Sequence, residues 1–348
     1  MRQRYFLVLD GLRGVAALAV VLFHFMEWVI TDFSKNFIGH GYLAVDFFFC
    51  LSGFVIAHAY DEKRDTSGII NFFKARLIRL HPLVVIGSAL GLIGLFIPSF
   101  SQAPRYEFTD VLLLFLCSIF MIPYPVLSEK AFNLFGLNAP AWSLFWEYVI
   151  NIVYAFWLFR MRPRMHCALL VISALWLMYS SYRYGNLSGG WSKDNWEVGA
   201  ARVLYSFCAG LFIYRKSLII QNRGGFALAA VLLLSCFLMP FISLNWLSES
   251  FVVLLIFPLI IALGAGTNEE RGITKFLKWL GNISYPLYMT HYWSIWIFGD
   301  YLGSSYYSEN QLIYIIPLGM ILLVSFAHLI MVCVDMPIRK YVKNKLTT

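Results

Sequence analysis

Eleven apolar segments, each close to the length of a bilayer-crossing helix, run through this chain of 348 residues. They lie near 6–30, 41–60, 79–98, 110–127, 141–159, 167–182, 198–214, 225–242, 247–265, 283–299 and 311–334. A helix that crosses the hydrocarbon core needs about 20 predominantly apolar residues. The linkers between the segments are short, so no separate soluble domain is expected. Composition agrees: 60% of residues are hydrophobic and 13% charged, whereas a soluble domain is about half apolar and about a quarter charged. The same figures exclude disorder, a coiled coil and a secreted disulfide scaffold. An all-α, polytopic membrane helix bundle is the fold class left. No C-x-x-C pair occurs among the six cysteines, which supports neither a zinc site nor a disulfide framework. The N-terminal stretch carries Asp10 and Arg13 and lacks a small-residue cleavage site, so it does not read as a cleavable signal.

The net charge of +8 is spread in short runs between apolar stretches, not along one basic face, and no nucleic-acid partner is expected. Such runs mark cytoplasmic linkers. Arg2 and Arg4 place the N-terminus in the cytoplasm, and Lys63, Arg64, Lys74, Arg76 and Arg79 do the same for the second linker. Arg160, Arg162 and Arg164, then Arg215, Lys216 and Arg223, then Arg271, Lys275 and Lys278 give further cytoplasmic marks, and Arg339, Lys340, Lys343 and Lys345 mark the C-terminal end. A parity conflict follows. Both ends of the stretch from Arg79 to Arg160 read as cytoplasmic, yet it holds three apolar segments, and an odd number of crossings cannot return a chain to its starting side. One of the three must be re-entrant or irregular, which is tolerated at membrane depth only inside protein or beside a cavity. Pro123, Pro125 and Pro140 point to residues 110–140. About ten true spans plus one irregular membrane-embedded segment are expected.

A charge inside a span costs about 2.5–3.5 kcal/mol on insertion scales and is a functional suspect. Arg13 and His24 in the first segment are eleven positions apart, roughly three turns, so they share one helix face about 16 Å apart along its axis. A snorkelling anchor and a packed core histidine are the bland readings of this pair. Asp46 in the second segment needs a partner, while the adjacent Ser52 and Gly53 suit close helix packing. Arg76 and Arg79 stand one turn apart and can grip phosphate in two-pronged fashion or simply be solvated. Trp142 to Glu147 opens a helix with a carboxylate inside an apolar run, and Ser284, Tyr288 and His291 share one helix face by their spacing. His40, His58, His166 and His328 have no comparable setting.

Taken together, these residues resemble the acyltransferase-3 family of integral membrane proteins, which move acyl groups from acyl-coenzyme A onto glycans and other acceptors. The family's leading L-D-G-L-R-G is Leu9 to Gly14, and its arginine and histidine separated by ten residues are Arg13 and His24. D-x-F-F-x-x-S-G-F looks like Asp46 to Phe54, and R-x-x-R-x-x-P is Arg76, Arg79 and Pro82. W-S-L-x-x-E is Trp142 to Glu147, and G-x-x-S-Y-x-x-Y-x-x-H is Gly281 to His291. The closing E-x-P stands here as Asp335-Met336-Pro337, a conservative departure.

The resemblance covers nearly the whole chain and implies a single membrane-embedded acyltransferase domain over 1–348, with no second domain after Arg339. It implies O-acyl transfer, expected to be O-acetylation, from cytoplasmic acyl-CoA (acetyl-CoA) to a hydroxyl of a cell-envelope glycan, a lipid-linked sugar or another glycosylated acceptor. The setting would be a bacterial inner membrane with both termini cytoplasmic. Arg13, Arg76 and Arg79 are the expected binders of the coenzyme phosphates. A sugar hydroxyl needs a general base; His24 is the candidate, with Asp46 or Glu147 orienting its imidazole. Ser284, Tyr288, His291 and Trp142 are expected to contact the acceptor or the thioester oxygen. No metal is implied, since histidines and carboxylates do not recur at ligand spacing. A secondary transporter or flippase would use the same intramembrane charges as a substrate path, but such proteins usually show two similar halves and none is visible. A non-enzymatic membrane sensor on the same fold is a third reading.

Overall fold

The structure is a computed structural model that describes residues 5–61, 68–97, 106–125, 133–267, 272–304 and 306–347, with side chains through residue 342. Arg2, Arg4, Lys63, Arg64 and Arg271, cited above as topological marks, lie outside the described residues, and the side chains of Lys343 and Lys345 are likewise not described. Among the described residues the chain forms twelve helices and no strand. They are α1 (Leu7–Val29), α2 (Ala44–Tyr60), α3 (Ile69–Phe96), α4 (Phe108–Ile119), α5 (Ala141–Phe156) and α6 (Pro163–Tyr184). Then come α7 (Trp196–Arg215), α8 (Gly225–Phe237), α9 (Asn245–Gly266), α10 (Thr274–Thr290) and α11 (Tyr292–Leu302). The last helix, α12, begins at Leu312 and continues through a π-helical turn at Met331–Asp335 into Met336–Thr347. All eleven apolar segments fall on helices. Some boundaries differ: the helices in the segments at 110–127 and 225–242 end at Ile119 and Phe237, and the segment at 283–299 is two helices, broken at His291, where Pro286 inside α10 weakens the turn just before the break.

Among the described residues, seven helices are long and apolar enough to cross a membrane. This all-helical build, with apolar side chains exposed along its long helices, is that of an integral membrane protein. The outward faces show why: α12 leaves Ile313, Leu318, Ile321, Leu322 and Leu329 exposed, which suits lipid and not water. By contrast α4 has 12 residues, about 18 Å of helix, too short for a ~30 Å core. After α4 the chain turns at Met121 with φ 57°, and residues 133–140 are buried without forming a helix. The irregular stretch thus lies within the expected 110–140, though 126–132 are outside the described residues. Several of its polar groups are met inside the protein: Nδ2 of Asn138 donates to the Met289 carbonyl, and the Leu134 amide donates to the Trp191 carbonyl.

Two close helix pairs set the site. The α2–α7 pair packs with Gly53 against the Phe207 carbonyl and Gly210 against the Cys50 carbonyl, where a Cβ would sit 2.0 Å from either oxygen. The α1–α10 pair packs through Gly14 and Gly281, where added Cβ atoms would meet Leu280 at 2.2 Å and Asp10 at 2.7 Å. Small residues let backbones approach where lipid supplies no hydrophobic drive between helices. As a result, α1 and α10 hold Arg13 and His24 against the Ser284–His291 face.

Candidate active site

Two cavities open along α1, one near each end. The first, of about 150 Å³, is lined by Arg13, Arg76, Arg79 and Arg339. Three of these four guanidiniums have a carboxylate: Arg13 meets Asp10 at 2.8 Å, Arg76 meets Glu147 at 2.6 Å, and Arg339 meets Asp335 at 2.8 Å. Arg79 makes no ion pair and no hydrogen bond with any described residue, although α3 holds it among the other three arginines. An unmatched guanidinium in such a place is what a multiply charged anion would complete. Arg13 is also pinned to α10, donating through Nε to Ser284 Oγ at 2.9 Å and through Nη2 to the Gly281 carbonyl at 2.8 Å.

The second cavity, of about 300 Å³, holds His24 and Glu27 within a wall that includes Tyr42, Trp142, Trp191 and Tyr292. Nδ1 of His24 lies 2.6 Å from Oε1 of Glu27. A carboxylate can only accept, so in the neutral imidazole this contact puts the proton on Nδ1 and the lone pair on Nε2. Tyr288 and Val45 line both cavities. Beneath the second cavity Arg202 is fully buried and binds both oxygens of Asp46, with a shortest contact of 2.6 Å. The same guanidinium donates to the Gly189 and Tyr42 carbonyls and lies 5.1 Å from the Trp142 ring centre. It therefore holds Tyr42 and Trp142 of the cavity wall together with the neighbouring Gly189.

Several expected roles change in the light of this geometry. Asp46 does not orient His24, because Arg202 takes both of its oxygens. Glu147 does not either: it accepts from Arg76 and, at 2.5 Å, from Ser52 in the first cavity. The carboxylate on His24 is Glu27. Ser284 lines the first cavity as a partner of Arg13, away from the second. His291 lines neither cavity; its ring stacks on His24 at 5.3 Å between centres, and its Nδ1 points at the Leu287 and Tyr288 carbonyls. Tyr288 and Trp142 do stand in the cavity wall, as do Arg13, Arg76 and Arg79 in theirs.

Residues with no role assigned from sequence alone also matter. Arg202 and Glu249 lie inside apolar segments and meet the same rule that flagged Asp46. Glu27 sits three residues from His24, at the end of α1. His40 is part of a buried network under the second cavity: its Nε2 meets Asn245 Oδ1 at 2.9 Å, and the Tyr42 hydroxyl donates to Glu249 at 2.5 Å. Among the described residues no three His, Cys, Asp or Glu side chains gather as metal ligands do.

An intramembrane bundle enclosing a cation-lined cavity and a histidine–carboxylate pair is a build suited to group transfer. The acyltransferase-domain model of the acyltransferase-3 family matches residues 6–332, and the chain belongs to that family of integral membrane acyltransferases. It is 36% identical over 189 residues to protein 2 in the picA locus of Rhizobium radiobacter, which covers 51% of this chain and 96% of that protein. It is 35% identical over 88 residues to a putative O-acetyltransferase of Staphylococcus aureus, covering 24% of this chain and 13% of that protein. Acyltransferase MdmB of Streptomyces mycarofaciens is 28% identical over 156 residues, 43% of this chain and 38% of its own length. No solved structure matches the chain.

Proposed function

We propose that the protein transfers an acyl group, acetyl in the simplest case, from cytoplasmic acyl-CoA to a hydroxyl of a glycan, a lipid-linked sugar or another glycosylated acceptor. The observation that carries this reading is the pair of cavities on α1 that share Tyr288 and Val45. In this reading the arginine cavity faces the cytoplasm and grips the coenzyme phosphates, with Arg79 supplying the charge that has no internal partner. Both termini are then cytoplasmic, and the membrane is the inner membrane of a bacterium. The second cavity takes the acceptor. Its tryptophan and tyrosine rings offer apolar faces with a few polar groups, as in small-molecule sites generally, and they suit the C–H faces of a sugar ring. The names borne by the Staphylococcus and Streptomyces relatives support acyl transfer, the former specifically to oxygen.

His24 acts as the general base through Nε2, and Glu27 holds the imidazole in that tautomer, as a carboxylate does in hydrolase triads. Arg13 and His24 are about 16 Å apart along α1, a distance suited to the long, flexible pantetheine arm. The test is transfer of radiolabelled acetyl from acetyl-CoA by the purified protein to a panel of sugar acceptors. Labelled product that depends on His24 supports the reading. Substrate flux across vesicles without acyl transfer would favour a transporter.

A further inference from the structure

Between the two cavities stands a thin partition, and its chemistry narrows where the acyl group crosses. Tyr288 and Val45 are in contact with both cavities; Ser143 faces the first and Pro140 the second. The Tyr288 hydroxyl lies 2.7 Å from Ser143 Oγ and 3.3 Å from the Pro140 carbonyl, while Ser143 Oγ donates to the same carbonyl at 3.0 Å. Ser143 thus has its own acceptor. The Tyr288 proton is held by a neighbour that already has one bond, and it can turn to a new acceptor without orphaning a buried donor. Phe48 packs edge-on against the Tyr288 ring at 5.7 Å between centres and keeps the ring in place.

Resting on the reading above, we propose that the Val45–Tyr288 partition is the point of acyl passage, and that the Tyr288 hydroxyl donates to the thioester carbonyl oxygen there. A thioester carried up from the arginine cavity must bring its carbonyl past these two residues to meet an acceptor beside His24, which shares the second cavity with Tyr288. The acceptor oxygen bonds to the carbonyl carbon as its proton passes to Nε2 of His24. The carbonyl electrons move onto oxygen, where the Tyr288 hydroxyl binds them. The C–S bond then breaks, the carbonyl reforms, and the leaving thiolate takes the proton from His24. A preformed donor aimed at a developing oxyanion is worth about 10²–10³-fold in rate.

Tyr288→Phe keeps the ring and removes only the donor. In purified protein with acetyl-CoA as the probe, kcat is expected to fall about 10²–10³-fold, with acetyl-CoA affinity and thermal midpoint unchanged. Val45→Phe narrows the partition from the other side and is expected to stop transfer with acetyl-CoA affinity intact; it decides the matter if Tyr288→Phe does not fold. Wild-type kcat in a folded Tyr288→Phe protein, or unimpeded transfer by Val45→Phe, would overturn the proposal. Failure of the wild-type protein to use acetyl-CoA at all would instead remove the donor reading on which it rests.

Discussion

Oε1 of Glu27 lies 2.6 Å from Nδ1 of His24, one turn away on the same helix, and this contact fixes which nitrogen can take a proton. Glu27→Gln leaves a weaker, uncharged acceptor that does not stabilise the imidazolium formed during transfer. Turnover should fall by at least about tenfold and by at most the ~10⁴-fold that loss of a triad carboxylate costs. The readout is kcat at saturating donor and acceptor. A folded Glu27→Gln protein with normal kcat would mean that the pair is structural.

In the arginine cavity, Arg79 gives the cleanest probe, since no internal carboxylate is left unpaired when it is removed. Arg79→Ala should weaken acetyl-CoA binding by about 1.5–3 kcal/mol, roughly 10–150-fold in Kd, with little change in thermal midpoint. Arg79→Lys should restore only part of this if the contact is two-pronged. Arg76→Ala differs, because Glu147 loses its cation and stability falls along with affinity. Calorimetric titration with acetyl-CoA beside a melting curve separates the two effects. Unchanged affinity in both alanine variants would leave these arginines as topological marks.

The Asp46–Arg202 pair is fully buried, and removing one partner strands a charge. Arg202→Met or Asp46→Ala should cost about 3–5 kcal/mol, read as loss of folded protein in detergent. Because Arg202 also holds the Tyr42 and Gly189 carbonyls and faces Trp142, any folded fraction should show a raised KM for acceptor with unchanged donor affinity. Weakened donor affinity alone would contradict that placement.

Topology offers a further test. Reporter fusions after Lys74, Arg164, Lys216 and Lys275 should all read cytoplasmic. An outer-side signal at Arg164 with a cytoplasmic one at Lys74 would mean three plain crossings between them, which twelve-residue α4 is too short to supply unaided.

Hydropathy made the helices legible, because a run of apolar residues in lipid has few alternatives to a helix. Parity and prolines located the irregular stretch before α5 for the same reason. The split at His291 was not legible, since Tyr292 to Leu302 is as apolar as the turns that precede it. Charge pairing was legible least. Asp46 needed a cation, but its partner is 156 residues away, and no spacing rule links α2 to α7. Glu27 was visible at i+3 from His24, yet a carboxylate at the end of an apolar run reads first as a solvated anchor. The motifs identified Arg13, Arg76, Arg79, Trp142 and Tyr288 of the cavity walls but not Arg339, and the packing gives Asp46, Glu147, Ser284 and His291 neighbours other than those expected.

The central claim is that His24 is the base for acyl transfer from a coenzyme held at the other end of α1. Single-turnover transfer of radiolabelled acetyl from acetyl-CoA, compared between wild-type and His24→Gln protein matched in thermal midpoint, tests it most directly. Acetyl-CoA affinity should be equal in the two proteins, and the rate about 10²–10⁴-fold lower in the variant. A well-folded His24→Gln protein that transfers acetyl at the wild-type rate would contradict it.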